Sequence, residues 1–119
     1  MKLWLDNLPS DLQGQRQTLA RCLTAMDGAL PMKAVYLFGS YARGEARRDS
    51  DVDLCIVTDG AEQQLSAARK FRDAIRDIWP CPALTLIPIT SQRLAEKRAR
   101  ADHFFATVLK EGILLASEN

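Results

Sequence analysis

Two short apolar runs constrain this chain more than any other feature. Ala34-Val35-Tyr36-Leu37-Phe38 stops at Gly39, and Leu54-Cys55-Ile56-Val57, within a segment from Val52 to Val57, stops at Thr58-Asp59-Gly60. Runs of this length that end at turn formers read as buried strands. Longer stretches with helical spacing lie around them. Leu12, Leu19, Cys22, Leu23, Met26 and Leu30 recur at helical intervals after Pro9-Ser10-Asp11, where Ser10 and Gln13 have capping-box spacing. Leu30-Pro31 ends that element. Leu65, Ala68, Phe71, Ile75 and Ile78 trace one face between Ala61 and Trp79, with Arg69 and Asp73 at i,i+4 opposite. Pro80 and Pro82 close this helix. Ala83 to Ile87 is a third strand, ended by Pro88. Ser91 opens a long helix with Leu94, Ala101, Phe105 and Val108 inward and Gly112 as its cap, and Ile113-Leu114-Leu115 adds an edge strand. The order α-β-(α)-β-α-β-α predicts an α/β fold, a small mixed sheet with flanking helices.

A length of 119 residues suits one domain spanning 1–119. Sixteen basic against fifteen acidic side chains leave a net charge of +1, which argues against a large electrostatic footprint for duplex nucleic acid and leaves room only for a local patch. No apolar run approaches the roughly 18 residues that a membrane span needs. Met1-Lys2-Leu3-Trp4-Leu5-Asp6 places an acid where a signal peptide would continue its apolar stretch, so a cytoplasmic protein is expected. Self-association is compatible with this composition. Cys22, Cys55 and Cys81 are odd in number and widely spaced, which describes neither a disulfide framework nor a zinc site. Cys22 and Cys55 fall within apolar patterns and read as buried hydrophobes. Cys81, between two prolines, carries no signal.

One stretch carries chemistry. Asp51 and Asp53 lie two residues apart at the beginning of a strand, so both side chains project from one face. Paired carboxylates repel unless a cation lies between them, and an oxygen-only donor set suits Mg²⁺. Haloacid-dehalogenase-type phosphatases and many sugar-nucleotide transferases place the apolar strand before the D-x-D. Here it follows, which weakens both readings. Gly39, at the end of the preceding strand, lets the backbone approach a ligand closely. A turn or helix starting at Ser40 offers N–H groups and a hydroxyl to phosphate oxygens. Gly39-x4-Gly44 is not a P-loop, because Glu45-Ala46 stands where Lys-Ser/Thr is required. Arg43, Arg47 and Arg48 lie between the two halves and suit triphosphate charge.

Gly39-Ser40, ten residues and then Asp51-x-Asp53 resembles the G-S-x10-D-x-D signature of the minimal nucleotidyltransferases, in the DNA polymerase β superfamily. The likeness of FGSYARGE…SDVDL to that family's wording covers residues 35 to 57, and the element order agrees beyond it. The resemblance implies a polymerase β-like core in which Gly39, Ser40 and, as a lesser contact, Arg43 bind ATP or another nucleoside triphosphate. Asp51 and Asp53 would be the catalytic carboxylates holding Mg²⁺. It implies transfer of AMP to a hydroxyl, and, for free-standing members of this length, a helical HEPN-type toxin as partner in an antitoxin role. Nucleic acid is not the expected direct substrate. Active members usually carry a third acid on the following strand; Thr85 stands at that place, and no acid occurs between Asp77 and Glu96. The alternative is therefore a catalytically weakened, nucleotide-binding antitoxin that acts by stoichiometric binding. His103, the basic cluster Arg93, Lys97, Arg98 and Arg100, and the tryptophans Trp4 and Trp79 read as solvated or packing residues.

Overall fold

The computed structural model describes residues 1–118. Its elements run β1 (Lys2–Leu3), α1 (Arg16–Ala29), β2 (Ala34–Phe38), β3 (Val52–Val57), α2 (Gln64–Ile75), β4 (Leu84–Ile89), α3 (Ser91–Ala99), α4 (His103–Glu111) and β5 (Ile113–Ser117). Short 3₁₀ turns at Leu5–Asn7 and Ser10–Gln15 lead into α1. Five strands form one mixed sheet in the order β1-β5-β2-β3-β4. Only β3 and β4 pair in parallel, because α2 carries the chain back between them. The α/β expectation holds. No helix among the described residues is long and apolar enough to cross a membrane.

The strand period sorts side chains to two faces. Val52, Leu54 and Ile56 join Val35, Leu37, Leu84 and Leu86 in the larger core, against Leu19, Leu23 and Met26 of α1 and Phe71 of α2. Cys55, Val57 and Ile89 meet Phe105 and Val108 of α4 on the other face, in a smaller core. Asp53 and Thr85, of the same parity as Cys55 and Ile89, therefore face α4.

Several boundaries differ from expectation for identifiable reasons. Gln13 Nε2 donates to the Leu8 carbonyl at 2.9 Å, so no capping box forms with Ser10. In α2 the buried residues are Ala67, Phe71 and Ile75, while Leu65 is 85% exposed. Asp73 pairs with Arg76 rather than Arg69. Arg72 Nη2 instead reaches the Leu84 carbonyl at 2.8 Å, and Gln64 Nε2 reaches that of Pro88 at 2.7 Å. Those carbonyls lie on the free edge of β4, because the alternate ones, Ala83 and Ile89, accept from Val52 and Thr58. Pro88 thus lacks its N–H on the side where no ladder bond is lost, and the strand runs through it to Ile89.

The expected long C-terminal helix is two helices. Ala101 adopts φ 54°, and Asp102 begins α4 by accepting from the Phe105 N–H at 3.0 Å. β5 is interior, between β1 and β2, and not an edge. Cys22 and Cys55 are buried as expected, and the Cys81 thiol comes within 3.5 Å of that of Cys22. Trp79 is 84% exposed and not a packing residue; Trp4 Nε1 donates to Ser117 Oγ at 2.8 Å.

Phe71→Ala is expected to cost about 3–5 kcal/mol in denaturant unfolding, the range for emptying a fully buried aromatic site. Leu65→Gln should stay within about 0.5 kcal/mol of wild type. A large loss for Leu65→Gln would restore the Leu65 face to the core and refute the packing of α2 described above.

Candidate active site

The loop between β2 and β3 begins with Gly39 at φ 77°, in the left-handed region that glycine occupies without strain. The following residues form a tight turn and not a helix. Arg43 N–H donates to the Gly39 carbonyl at 3.1 Å and Glu45 N–H to that of Ser40 at 2.9 Å. Among the described residues, the main-chain bonds of this turn use the N–H groups of Arg43, Gly44 and Glu45. Those of Ser40, Tyr41 and Ala42 are left for solvent or a ligand, next to the Ser40 hydroxyl.

Sheet register sets the second half of the site. Phe38 lies opposite Asp53, and Asp53 lies beside Thr85, so the three form one row across β2, β3 and β4 on the α4 face. Asp51 immediately precedes β3 and is exposed, and Thr85 Oγ1 donates to its Oδ2 at 3.2 Å. Asp53 is half-buried, and its pKa lies above the ordinary aspartate value. Burial is the main cause; the Thr85 hydroxyl opposes it, the neighbouring Asp51 charge adds to it, and Arg43 opposes it. The Thr85 hydroxyl outweighs the Asp51 charge at Asp53, and burial keeps the balance upward.

The two halves meet directly. A Cβ on Gly39 would fall within the carboxylate of Asp53. Gly39 is therefore required twice, by its dihedral and by the acid packed against it.

A cavity of about 710 Å³ opens here, lined by Gly39, Ser40, Arg43 and Asp53 on one side and by His103, Phe104, Thr107 and Glu111 of α4 on the other. Four of the five residues singled out from the sequence thus share one cavity, and Asp51 flanks it. Arg43 bridges the walls, with Nε at 3.2 Å from Glu45 Oε2 and Nη1 at 3.5 Å from Glu111 Oε2. That Glu111 oxygen is enclosed and accepts no hydrogen bond among the described residues. The α4 wall was not anticipated. A single helix through Ala101 hides it, whereas Asp102 as a new N-cap would have turned His103, Phe104 and Thr107 towards the acids. No group of three His, Cys, Asp or Glu side chains gathers as a metal site among the described residues.

The nucleotidyltransferase domain family matches residues 19–111. No curated protein matches the chain. Among solved structures, the chain is similar to a toxin-antitoxin with AMP-PNP (20% identity, TM-score 0.52). It is also similar to a substituted form of the toxin-antitoxin MntA-HpeT (18% identity, TM-score 0.51). Each likeness covers 84% of this chain and 73% of the other. At these identities the likeness concerns the fold.

Because Asp53 binds its proton more tightly folded than unfolded, its charge costs the native state stability at neutral pH. Asp53→Asn should therefore raise the melting temperature near pH 7 in a chelator. The gain should shrink as the pH falls through the raised value towards the ordinary one of about 3.9, where the acid is neutral in both states. Thermal unfolding across that range checks it; a variant destabilised at neutral pH would contradict the origin assigned to the shift.

Proposed function

The chain belongs to the nucleotidyltransferase domain family, and on that premise we propose that it is an Mg²⁺-dependent nucleotidyltransferase moving AMP from ATP to a hydroxyl of a helical HEPN-type toxin, as its antitoxin. One observation carries the nucleotide reading: the Asp53 carboxylate occupies the space of the absent Gly39 Cβ. This joins a turn with free N–H groups to a carboxylate pair around one cavity.

Ser40, with the N–H groups of its turn, would bind triphosphate oxygens, and Arg43 would neutralise part of their charge. Its two glutamate partners hold the guanidinium at the cavity wall beforehand. Asp51 and Asp53 would hold the cation. Their donor set is oxygen alone, and a divalent ion would offset both the burial that mainly raises Asp53 and the smaller repulsion from Asp51. Bound there, Mg²⁺ supplies positive charge where the α-phosphate develops negative charge. Asp53 is positioned by the row from Phe38 to Thr85 and by Gly39, so it needs little reorganisation to serve. Thr85 orients Asp51 by donating to it, but a neutral hydroxyl is no base for the attacking group.

Support for the antitoxin role comes from the solved structures that share this fold, both of toxin-antitoxin proteins and one with AMP-PNP. Thr85 favours a second reading, in which the chain binds nucleotide yet silences its partner by stoichiometric masking. After separation of the two proteins, modification leaves the partner inactive and heavier by one nucleoside monophosphate. Masking leaves its mass unchanged and its activity recoverable.

ATP with Mg²⁺ should raise the melting temperature, since a ligand at 100 times its Kd stabilises by about 2.7 kcal/mol. Asp51→Asn with Asp53→Asn should remove the Mg²⁺-dependent part of that rise and abolish label transfer from α-labelled ATP. An equal Mg²⁺-dependent rise in the double variant would show that the pair is not the metal site. Thr85→Asp should increase transfer to the natural acceptor, and no increase over an already fast wild type would assign the missing role to another group.

A further inference from the structure

Phe104 is exposed where the core would be expected to claim it. Its neighbour Phe105 is buried in the smaller core with Val108, one helical turn on, and these two fix which face of α4 meets the sheet. Phe104 falls on the flank of that face and remains 47% exposed on the cavity wall. It is nevertheless held. Its ring lies perpendicular to that of Phe38, with centroids 5.8 Å apart at 87°, and to that of Phe105, at 5.0 Å and 89°. Two perpendicular aromatic contacts fix the plane of a ring whose remaining surface is open to a cavity of about 710 Å³.

Charge orients whatever enters. The Ser40 turn and Arg43 form the wall that favours anionic oxygens. Glu111 on α4, whose enclosed Oε2 accepts no hydrogen bond among the described residues and lies 3.5 Å from Arg43 Nη1 in an ion pair, disfavours them. The phosphate end of a nucleotide therefore belongs at the turn, and its uncharged end belongs along α4, where Phe104 offers a flat apolar surface already fixed in position.

We propose that Phe104 is the stacking platform for the nucleobase, so that the cavity takes a nucleoside triphosphate and not merely a polyphosphate. This rests on the reading of the Ser40 turn and the carboxylate pair as the phosphate and metal site. A ring face reads the π-surface common to all bases, so Phe104 contributes affinity for nucleosides with little choice among them.

Isothermal titration with Mg²⁺ and either ATP or inorganic tripolyphosphate separates the two ends. Phe104→Ala should weaken ATP binding by roughly 5- to 150-fold, the span of a base–aromatic stack, and leave tripolyphosphate binding unchanged. Phe104→Trp should restore ATP affinity, which a merely structural role for the side chain would not do. The exposure of Phe104 makes the alanine variant tolerable, and an unaltered melting temperature without ligand verifies that. ATP affinity unchanged in Phe104→Ala, or lost in step with that for tripolyphosphate, overturns the proposal. Wild type that binds ATP no more tightly than tripolyphosphate also overturns it and leaves the phosphate site standing. Wild type that binds neither removes the underlying site, and this proposal with it.

Discussion

Gly39 carries no Cβ, and the space a Cβ would fill holds the Asp53 carboxylate. The polar groups on the sheet side of the cavity are gathered around that contact. It brings the end of β2 against the beginning of β3, although the loop over residues 39–51 separates them in sequence. It removes one side of Asp53 from water, which contributes to the desolvation that raises its pKa. It also places the free N–H groups of the Ser40 turn within the same cavity as that acid. An alanine at position 39 would meet both obstacles at once, an unfavourable positive φ and a carboxylate in its way.

The two faces of the sheet divide the labour of folding and chemistry. One face is covered by α1 and α2, with fully buried Leu19, Leu23, Met26, Leu54, Ile56 and Phe71, and supplies most of the apolar burial. The other face carries the smaller cluster and opens into the cavity at the Phe38–Asp53–Thr85 row. Side-chain alternation in β3 makes this economical. Leu54 and Ile56 anchor the strand to the larger core, while Asp53 between Val52 and Leu54 is free to face α4.

Much of this was legible in the residues. The runs Ala34–Phe38 and Val52–Val57 are strands at their expected bounds, and the small-residue turn after β2 lies beside the acids that begin β3. These are local signals, set by strand period and glycine. What could not be read depends on neighbours distant in sequence. Pro88 sits within β4 because the strand is an edge and its missing N–H faces outward, a fact of sheet order. Ala67 rather than Leu65 packs in α2, because Ala67, Phe71 and Ile75 define the inward face and Leu65 lies about 120° round the helix from Phe71. Periodicity carried a single helix across Ala101, although the Asp102 cap restarts it in a new direction and swings Phe104 and Glu111 to the cavity. The chemistry of the motif was visible, and the wall opposite it was not.

The interior place of β5 has a consequence for how the chain is made. Residues 113–117 supply both neighbours' pairing, to β2 on one side and β1 on the other. During vectorial synthesis β2, β3 and β4 emerge with their helices before β5 exists, and until then β2 has a bare edge. Residues 2–3 have no strand to join until residues 116–117 have been made. An unpaired edge in an unfinished chain is a template for wrong pairing. Between the completion of β3 and the arrival of β5, the turn after β2 can therefore form while the sheet beside it is still incomplete.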